Sequence, residues 1–201
     1  MQSGGVRWGG ATAADTRTSR GLTSRWLVTM GSVEIIPRRE LQQCPQWQRA
    51  FASQHKDSRY YEIVEDTLHP EFDYLYFAVR DCAGEVRAIQ PFFILDQDIL
   101  TGVRVYCGGL IDAVRRRWPR FMVMKTMMIG CVAGEAHLDD GSEVMRAANT
   151  ELLAAGILRH ARALGVRLVV LKEFPGSYRG VLSCFVSSGF TRVPSMPLTR
   201  L

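Results

Sequence analysis

The chain has no run of eighteen apolar residues, about the least that a membrane-spanning helix needs. The nearest candidate, Phe121 to Ala133, is shorter and carries Lys125, so no membrane span is expected. There is no Cys-x-x-Cys pair either. Five cysteines, Cys44, Cys82, Cys107, Cys131 and Cys184, are odd in number and widely spaced, and three sit among apolar neighbours. That pattern argues against a disulfide framework or a zinc site and reads as reduced, buried thiols in a cytoplasmic protein. Histidine is scarce and its four copies are scattered, which leaves a metal centre without support. A strong charge of one sign is also missing once the first thirty residues are set apart. They hold Arg7, Arg17, Arg20 and Arg25 against Asp15 alone, and so supply +3 of the net +5. The remaining 21 basic and 19 acidic residues nearly cancel, which argues against a nucleic-acid footprint. Arg115-Arg116-Arg117 beside Trp118 is the local exception, readable as a phosphate grip or as a solvated helix end.

What is there is ordinary globular composition, 47% hydrophobic and 22% charged over 201 residues, enough for one domain with a core. Residues 1–30 are rich in Gly, Ser, Thr and Arg without apolar periodicity. They read as a disordered leader or as a miscalled start upstream of Met30. Val33–Ile36 is a β-branched strand closed by Pro37, followed by helical spacing of Leu41, Trp47 and Phe51 within 38–54. Asp57-Ser58 caps a second helix, Tyr60 to His69, ended by Pro70. Asp73–Asp81 and Glu85–Leu95 are strong strand signals joined through Cys82-Ala83-Gly84, an antiparallel hairpin. Pro91 places the second of them at an edge or a bulge. Thr101–Cys107 reads as a further strand with Gly108-Gly109 as its turn.

The chain is organised around Met127–Ser142. An apolar run to Ala133 breaks at Gly134 into the polar turn Glu135–Gly141, and a long helix follows, N-capped within Asp140-Gly141-Ser142-Glu143. A strand, a glycine turn and a helix N-terminus in that order make a common anion site, because free N–H groups and the helix dipole converge there. The same order is also a plain βα connection. Met145, Ala148, Leu152, Ala155, Leu158, Ala161 and Leu164 form the helix's apolar stripe, and Gly165 ends it. Val166–Lys172 is apolar enough for the middle of a sheet. A turn at Glu173–Gly176, a helix over Tyr178–Ser188 and a last strand from Thr191 to about Met196 complete a β-α-β-α-β half.

This order of a strand, two helices, a hairpin and then β-α-β-α-β resembles the GNAT superfamily of N-acyltransferases. Phe185-x-x-x-Gly189-Phe190 is similar to the Tyr-x-x-x-Gly-Phe ending of many such domains. Five blocks, beginning at Ser58, Ala88, Gly130, Leu171 and Arg192, look like predicted N-acyltransferases related to Fem-type peptidoglycan peptidyl transferases. They are SRYYE, AIQPFF, GCVAGE, LKEFP and RVPSMP. The resemblance spans Val33 to Leu201 and implies one α/β (α+β) domain over 31–201, the first half of a tandem pair of GNAT-like halves. It implies acyl-CoA or acetyl-CoA as co-substrate and a small-molecule or peptide amine as acceptor; no metal is expected, from the scattered histidines. A missing half implies a homodimer or a partner half-domain, and leaves a second reading open, a non-catalytic half-domain.

Amide formation from a thioester needs an anion cradle, a base for the amine and an acid for the thiolate. Ala133, Gly134, Gly141 and Ser142 are the cradle candidates. Of the Arg/Gln-x-x-Gly-x-Gly/Ala pattern usual there, this chain keeps only the glycines. Glu135 and Glu173 lie just past the C-terminal ends of neighbouring strands, where open α/β sheets bind ligands, and are candidate bases. His137, whose intrinsic pKa is near 6.5, is the third. Each also has a plain reading: Glu135 bridging to an arginine, Glu173 pairing near Lys172, His137 solvated in a loop. Tyr178 is the candidate acid, since Phe185 stands where many family members carry tyrosine.

Overall fold

A computed structural model describes residues 31–67, 71–101, 104–139 and 145–193, with the side chains of 104–107 excepted. The first half runs β1 (Ser32–Ile36), α1 (Arg38–Leu41), α2 (Pro45–Arg49) and α3 (Ser58–Thr67), then a hairpin of β2 (Asp73–Arg80) and β3 (Val86–Asp98). The second runs α4 (Arg104–Arg117), β4 (Val123–Gly130), α5 (Arg146–Ala163), β5 (Leu168–Lys172), a 3₁₀ turn (Gly176–Arg179) and α6 (Ser183–Ser187). The five strands form one mixed sheet in the order β1-β2-β3-β4-β5. The first four are antiparallel neighbours, and β5 lies parallel to β4 from Thr126↔Leu168 to Gly130↔Lys172. A parallel pair requires a long crossover, and α5 supplies it. The chain is therefore a single mixed α/β (α+β) domain, as its sequence pattern leads one to expect.

Period-two alternation divides the core. Phe77 and Val79 of β2 face α5 and α6, where Val33, Phe92, Met127, Ile129, Leu153, Ile157 and Phe185 close around them. Tyr76 and Ala78 face α1–α3 and pack with Leu41, Trp47, Phe51, Tyr61 and Ile89. The sheet is thus covered on both faces. Among the described residues no helix is long and apolar enough to cross a membrane.

Several expectations are corrected. The helical pattern over 38–54 is two short helices, because Pro45 starts the second at its first turn and Phe51 adopts φ 61° just beyond it. Arg104–Cys107 opens α4 and is not a strand, and Gly108-Gly109 lies inside that helix. β3 and β4 are already paired at Asp98↔Val123, so the segment between them has no place in the ladder. β4 begins at Val123 and ends at Gly130, short of the expected Ala133. The helix expected over 178–188 is divided into the 3₁₀ turn and α6 around Gly180. Thr191–Val193 joins no strand, and the rest of the expected last strand lies outside the described residues, as do residues 1–30 and the expected N-cap at 140–143. Nor is β5 in the middle of the sheet: it sits at the edge, its side chains only half-buried.

The buried face of α5 also differs from the expected stripe. It is built from Asn149, Thr150, Leu153, Ala154, Gly156, Ile157 and Ala161, while Ala155 is exposed and Leu152, Leu158 and Leu164 are flanks. Apolar residues cover so much of this helix that their period alone does not fix which side goes inward. Gly156 does fix it. A Cβ there would meet Val33 Cβ, Cγ1 and Cγ2 at 2.5, 2.7 and 2.8 Å, so helix and strand touch backbone to side chain.

Candidate functional site

The site begins where β4 stops. Gly130 has φ 123°, and a Cβ on it would lie 2.7 Å from Ala136 Cβ and 2.9 Å from the Lys172 carbonyl oxygen. Only glycine permits this sharp exit against the end of β5. The exit uncovers half of β3, because pairing with β4 stops at Phe92↔Ile129 while β3 runs back to Val86. Pro91 stands at the first position beyond that pairing, so its edge character is local, within a strand that is otherwise central.

The loop after Gly130 returns along this bare edge. Asp139 Oδ2 accepts the Ile89 N–H at 2.7 Å and the Gln46 side-chain amide at 3.1 Å, replacing the missing ladder partner with a carboxylate. Gln90 Nε2 donates to the His137 carbonyl at 3.4 Å. On the other side, the Ala136 N–H donates to the Glu173 carbonyl at 3.0 Å, across a Glu173 held at φ 56°. Loop and turn are thereby joined, and two lysines fasten them. Lys56 Nζ donates to the carbonyls of Ala133 (2.6 Å) and Glu135 (2.9 Å) and lies 3.5 Å from Cys131 Sγ. Lys172 Nζ donates to the Val132 carbonyl (2.9 Å) and meets Glu173 Oε1 at 2.9 Å.

These contacts sort the expected site residues. Glu173 is held in an ion pair with Lys172, which leaves less of its carboxylate for proton abstraction. Ala133 and Gly134 form a turn capped by the Lys56 ammonium, with Gly134 at φ 72°. Gly141 and Ser142 lie outside the described residues. His137 and Tyr178 are brought together: Nδ1 and the phenolic oxygen are 3.4 Å apart, and the rings meet edge to face at 6.3 Å. Phe174 braces Tyr178 from the other side at 5.8 Å. His137 is half-buried, and desolvation holds its pKa below 6.5; Glu135 opposes that shift, while Lys56 and His55 add to it. The imidazole is therefore neutral near pH 7, the form that accepts a proton. Glu135 is exposed and acts on His137 through its charge.

Beside this pair opens a cleft of about 650 Å³ between the loop after α2, the Leu138–Asp139 strip, the first residue of α5 and the 3₁₀ turn. Its polar rim includes Arg49, Ser53, Arg146, Ser177 and Tyr178. Neither arginine stood out in the sequence, because each is a single basic residue in an Arg-rich chain. Lys56 was equally hidden, although one signal existed. The chain has only three lysines, and all three bond backbone carbonyls, Lys125 Nζ reaching that of Leu164 at 3.0 Å. Among the described residues no group of three His, Cys, Asp or Glu is placed to share a metal ion.

Compared with models of known protein families, with curated proteins and with solved structures, the chain matches none.

Proposed function

We propose that the domain is an N-acyltransferase that takes an acyl-CoA, acetyl-CoA being the simplest, and passes its acyl group to the amine of a small molecule or peptide. The observation that carries this reading is the Arg49–Arg146 cleft lined by Tyr178, whose phenolic oxygen lies 3.4 Å from His137 Nδ1. Two guanidinium groups beside the start of an 18-residue helix favour a pyrophosphate, through charge-assisted hydrogen bonds and the helix dipole. The order of elements supports it too: strand, helices, hairpin, then a parallel β4–β5 pair joined by α5, with α4 as an addition.

The chemistry follows from the pair. In the tautomer whose Nδ1–H donates to the Tyr178 oxygen, His137 Nε2 keeps its lone pair for the proton of the attacking amine. Nitrogen then bonds to the thioester carbon, the C–S bond breaks, and the Tyr178 hydroxyl supplies the proton the thiolate needs. Imidazolium Nδ1–H restores that proton to Tyr178. A cytoplasmic setting suits the unpaired thiols of Cys44, Cys82, Cys131 and Cys184.

The test is calorimetric titration of acetyl-CoA and a longer acyl-CoA into the full chain. Micromolar binding that weakens about tenfold or more in Arg49→Glu and in Arg146→Glu supports the reading, since each reversal sets a carboxylate against a phosphate. No binding at millimolar ligand to a folded chain sinks it. A second reading, a non-catalytic half-domain that packs on a partner half or on a second copy, is favoured by one observation. The apolar strand β5 lies at the sheet edge with Leu168 37% exposed.

A further inference from the structure

Where β4 leaves β3, a second opening forms on the α3 side of the sheet, away from the arginine cleft. Tyr60 and Tyr61 of α3 and Tyr74 and Tyr76 of β2 line it, closed below by Phe92 and Gly130. It is small, about 10 Å³, the space of one water molecule. Two of the four phenols are satisfied: Tyr76 Oη donates to Glu65 Oε2 at 2.6 Å, and Tyr60 Oη is 3.4 Å from Cys131 Sγ. The other two are not. The hydroxyls of Tyr61 and Tyr74 are fully buried with no hydrogen-bond partner among the described residues, and Tyr61 as a whole is 5% exposed. Native proteins seldom leave such groups orphaned unless something else fills the place.

The surroundings say what kind of group fits. Aromatic rings present electron-rich faces, and four tyrosines around a water-sized space make a setting for a compact cation. The Glu65 carboxylate reinforces that sign. Burial pushes the Tyr74 phenol up to about 12, with Cys131 and then Glu65 adding to it, and burial with the Glu65 hydrogen bond raises Tyr76 as well. Both phenols therefore stay protonated and offer oxygen lone pairs. Two cations also face the cluster. Arg38 is 3.9 Å from Glu65 and is taken up chiefly by Asp66, while Lys56 lies over the Tyr60 ring at 5.4 Å and is occupied by two carbonyls.

We propose that this tyrosine-lined crevice binds the head of a small alkylammonium ion, its N–H groups donating to the Tyr61 and Tyr74 oxygens and its charge resting against the rings. The site goes beyond the transfer reaction proposed above and does not depend on it, since binding is read without any acyl donor.

The experiment titrates methylammonium chloride into the full chain at pH 7.5, followed by NMR chemical shifts, with sodium chloride and methanol as matched controls. The expected result is saturable millimolar binding of methylammonium alone, weakened roughly tenfold in Tyr74→Leu, which loses a ring and a hydroxyl. Tyr61→Phe keeps the ring and removes an orphaned hydroxyl. It is expected to raise the melting temperature and still weaken binding several-fold, a combination that a purely structural tyrosine would not give. Tyr74→Phe serves the same purpose if the leucine variant does not fold. Binding that does not saturate, that methanol reproduces, or that Tyr61→Phe and Tyr74→Phe leave unchanged would overturn the proposal.

Discussion

Replacing Gly156 by alanine sets two familiar effects against each other. Alanine is the better helix former, by about 1 kcal/mol in a helix interior, so an exposed site would gain stability. Gly156 is not exposed. Its new methyl carbon would stand 2.5, 2.7 and 2.8 Å from three carbons of Val33, which is 2% exposed in the first strand of the sheet. A β-branched side chain fixed on a pleated strand has few rotamers with which to move aside. The helix has little room to retreat either, since Arg159 and His160 both bond the Val33 carbonyl on the following turn, His160 Nε2 at 2.8 Å. Overpacking costs about 1–3 kcal/mol, and three contacts this short call for the upper end. With the helix gain subtracted, Gly156→Ala is expected to lose about 2 kcal/mol. For a domain of this size that lowers the melting temperature by roughly 4–8 °C. Urea unfolding followed by circular dichroism measures it. The double variant Val33→Gly with Gly156→Ala takes away all three carbons that the new methyl would meet, and should show a coupling of about 1–3 kcal/mol in a double-mutant cycle. A neutral or stabilised Gly156→Ala, or zero coupling to Val33, would refute the close approach.

Two further outcomes follow from the loop after Gly130. Asp139→Ala removes the acceptor of the Ile89 N–H in a fully buried part of β3, so unfolding free energy should fall by about 2–3 kcal/mol, and a urea midpoint equal to the parent's would contradict this. His137 has a folded pKa below the 6.5 of the free side chain, so its contribution is fully present above pH 6.5 and is lost as the pH falls from there toward the folded pKa, because the unfolded chain takes up the proton first. Stability measured between pH 7.5 and 5 should therefore decline more steeply in the parent than in His137→Gln; parallel curves would show that His137 is not held neutral.

Much of the sheet was legible because its rules are local. The hairpin of β2 and β3 announces itself by aromatic and β-branched runs around Cys82-Ala83-Gly84, and Gly84 does adopt φ 83° there. The two core faces follow from simple alternation at Tyr76, Phe77, Ala78 and Val79. What stayed hidden depends on contacts between distant residues. Nothing near Thr101–Cys107 says that β3 and β4 already satisfy each other, so a β-branched and aromatic stretch reads as a strand, whereas Arg104–Cys107 opens a helix. The inward side of α5 is decided by Val33, more than a hundred residues earlier. At the site, His137 and Tyr178 could be named as separate candidates, but their meeting depends on the Ala136–Glu173 hydrogen bond, and the clamp by Lys56 spans 77 residues to Ala133. Strand ends were legible as the place to look; the partners that define each side chain's role were not.

The segment between β3 and β4 has a bearing on how this fold can be changed. Asp98 and Val123 face each other as the last pair of the ladder, and the Ile99 N–H closes onto the Met122 carbonyl at 3.2 Å just beyond them. Arg115 ties the helix back to that same neck, through Asp98 at 2.7 Å and the Phe121 carbonyl at 3.0 Å. The ties that Arg115 makes are therefore gathered at the mouth of a closed excursion. A tight two-residue turn could join Asp98 to Val123 without moving a strand. The helix with its exposed Leu110 and Trp118 is in this sense a cassette: a stretch that can be lengthened, replaced or cut out while the sheet beneath keeps its register.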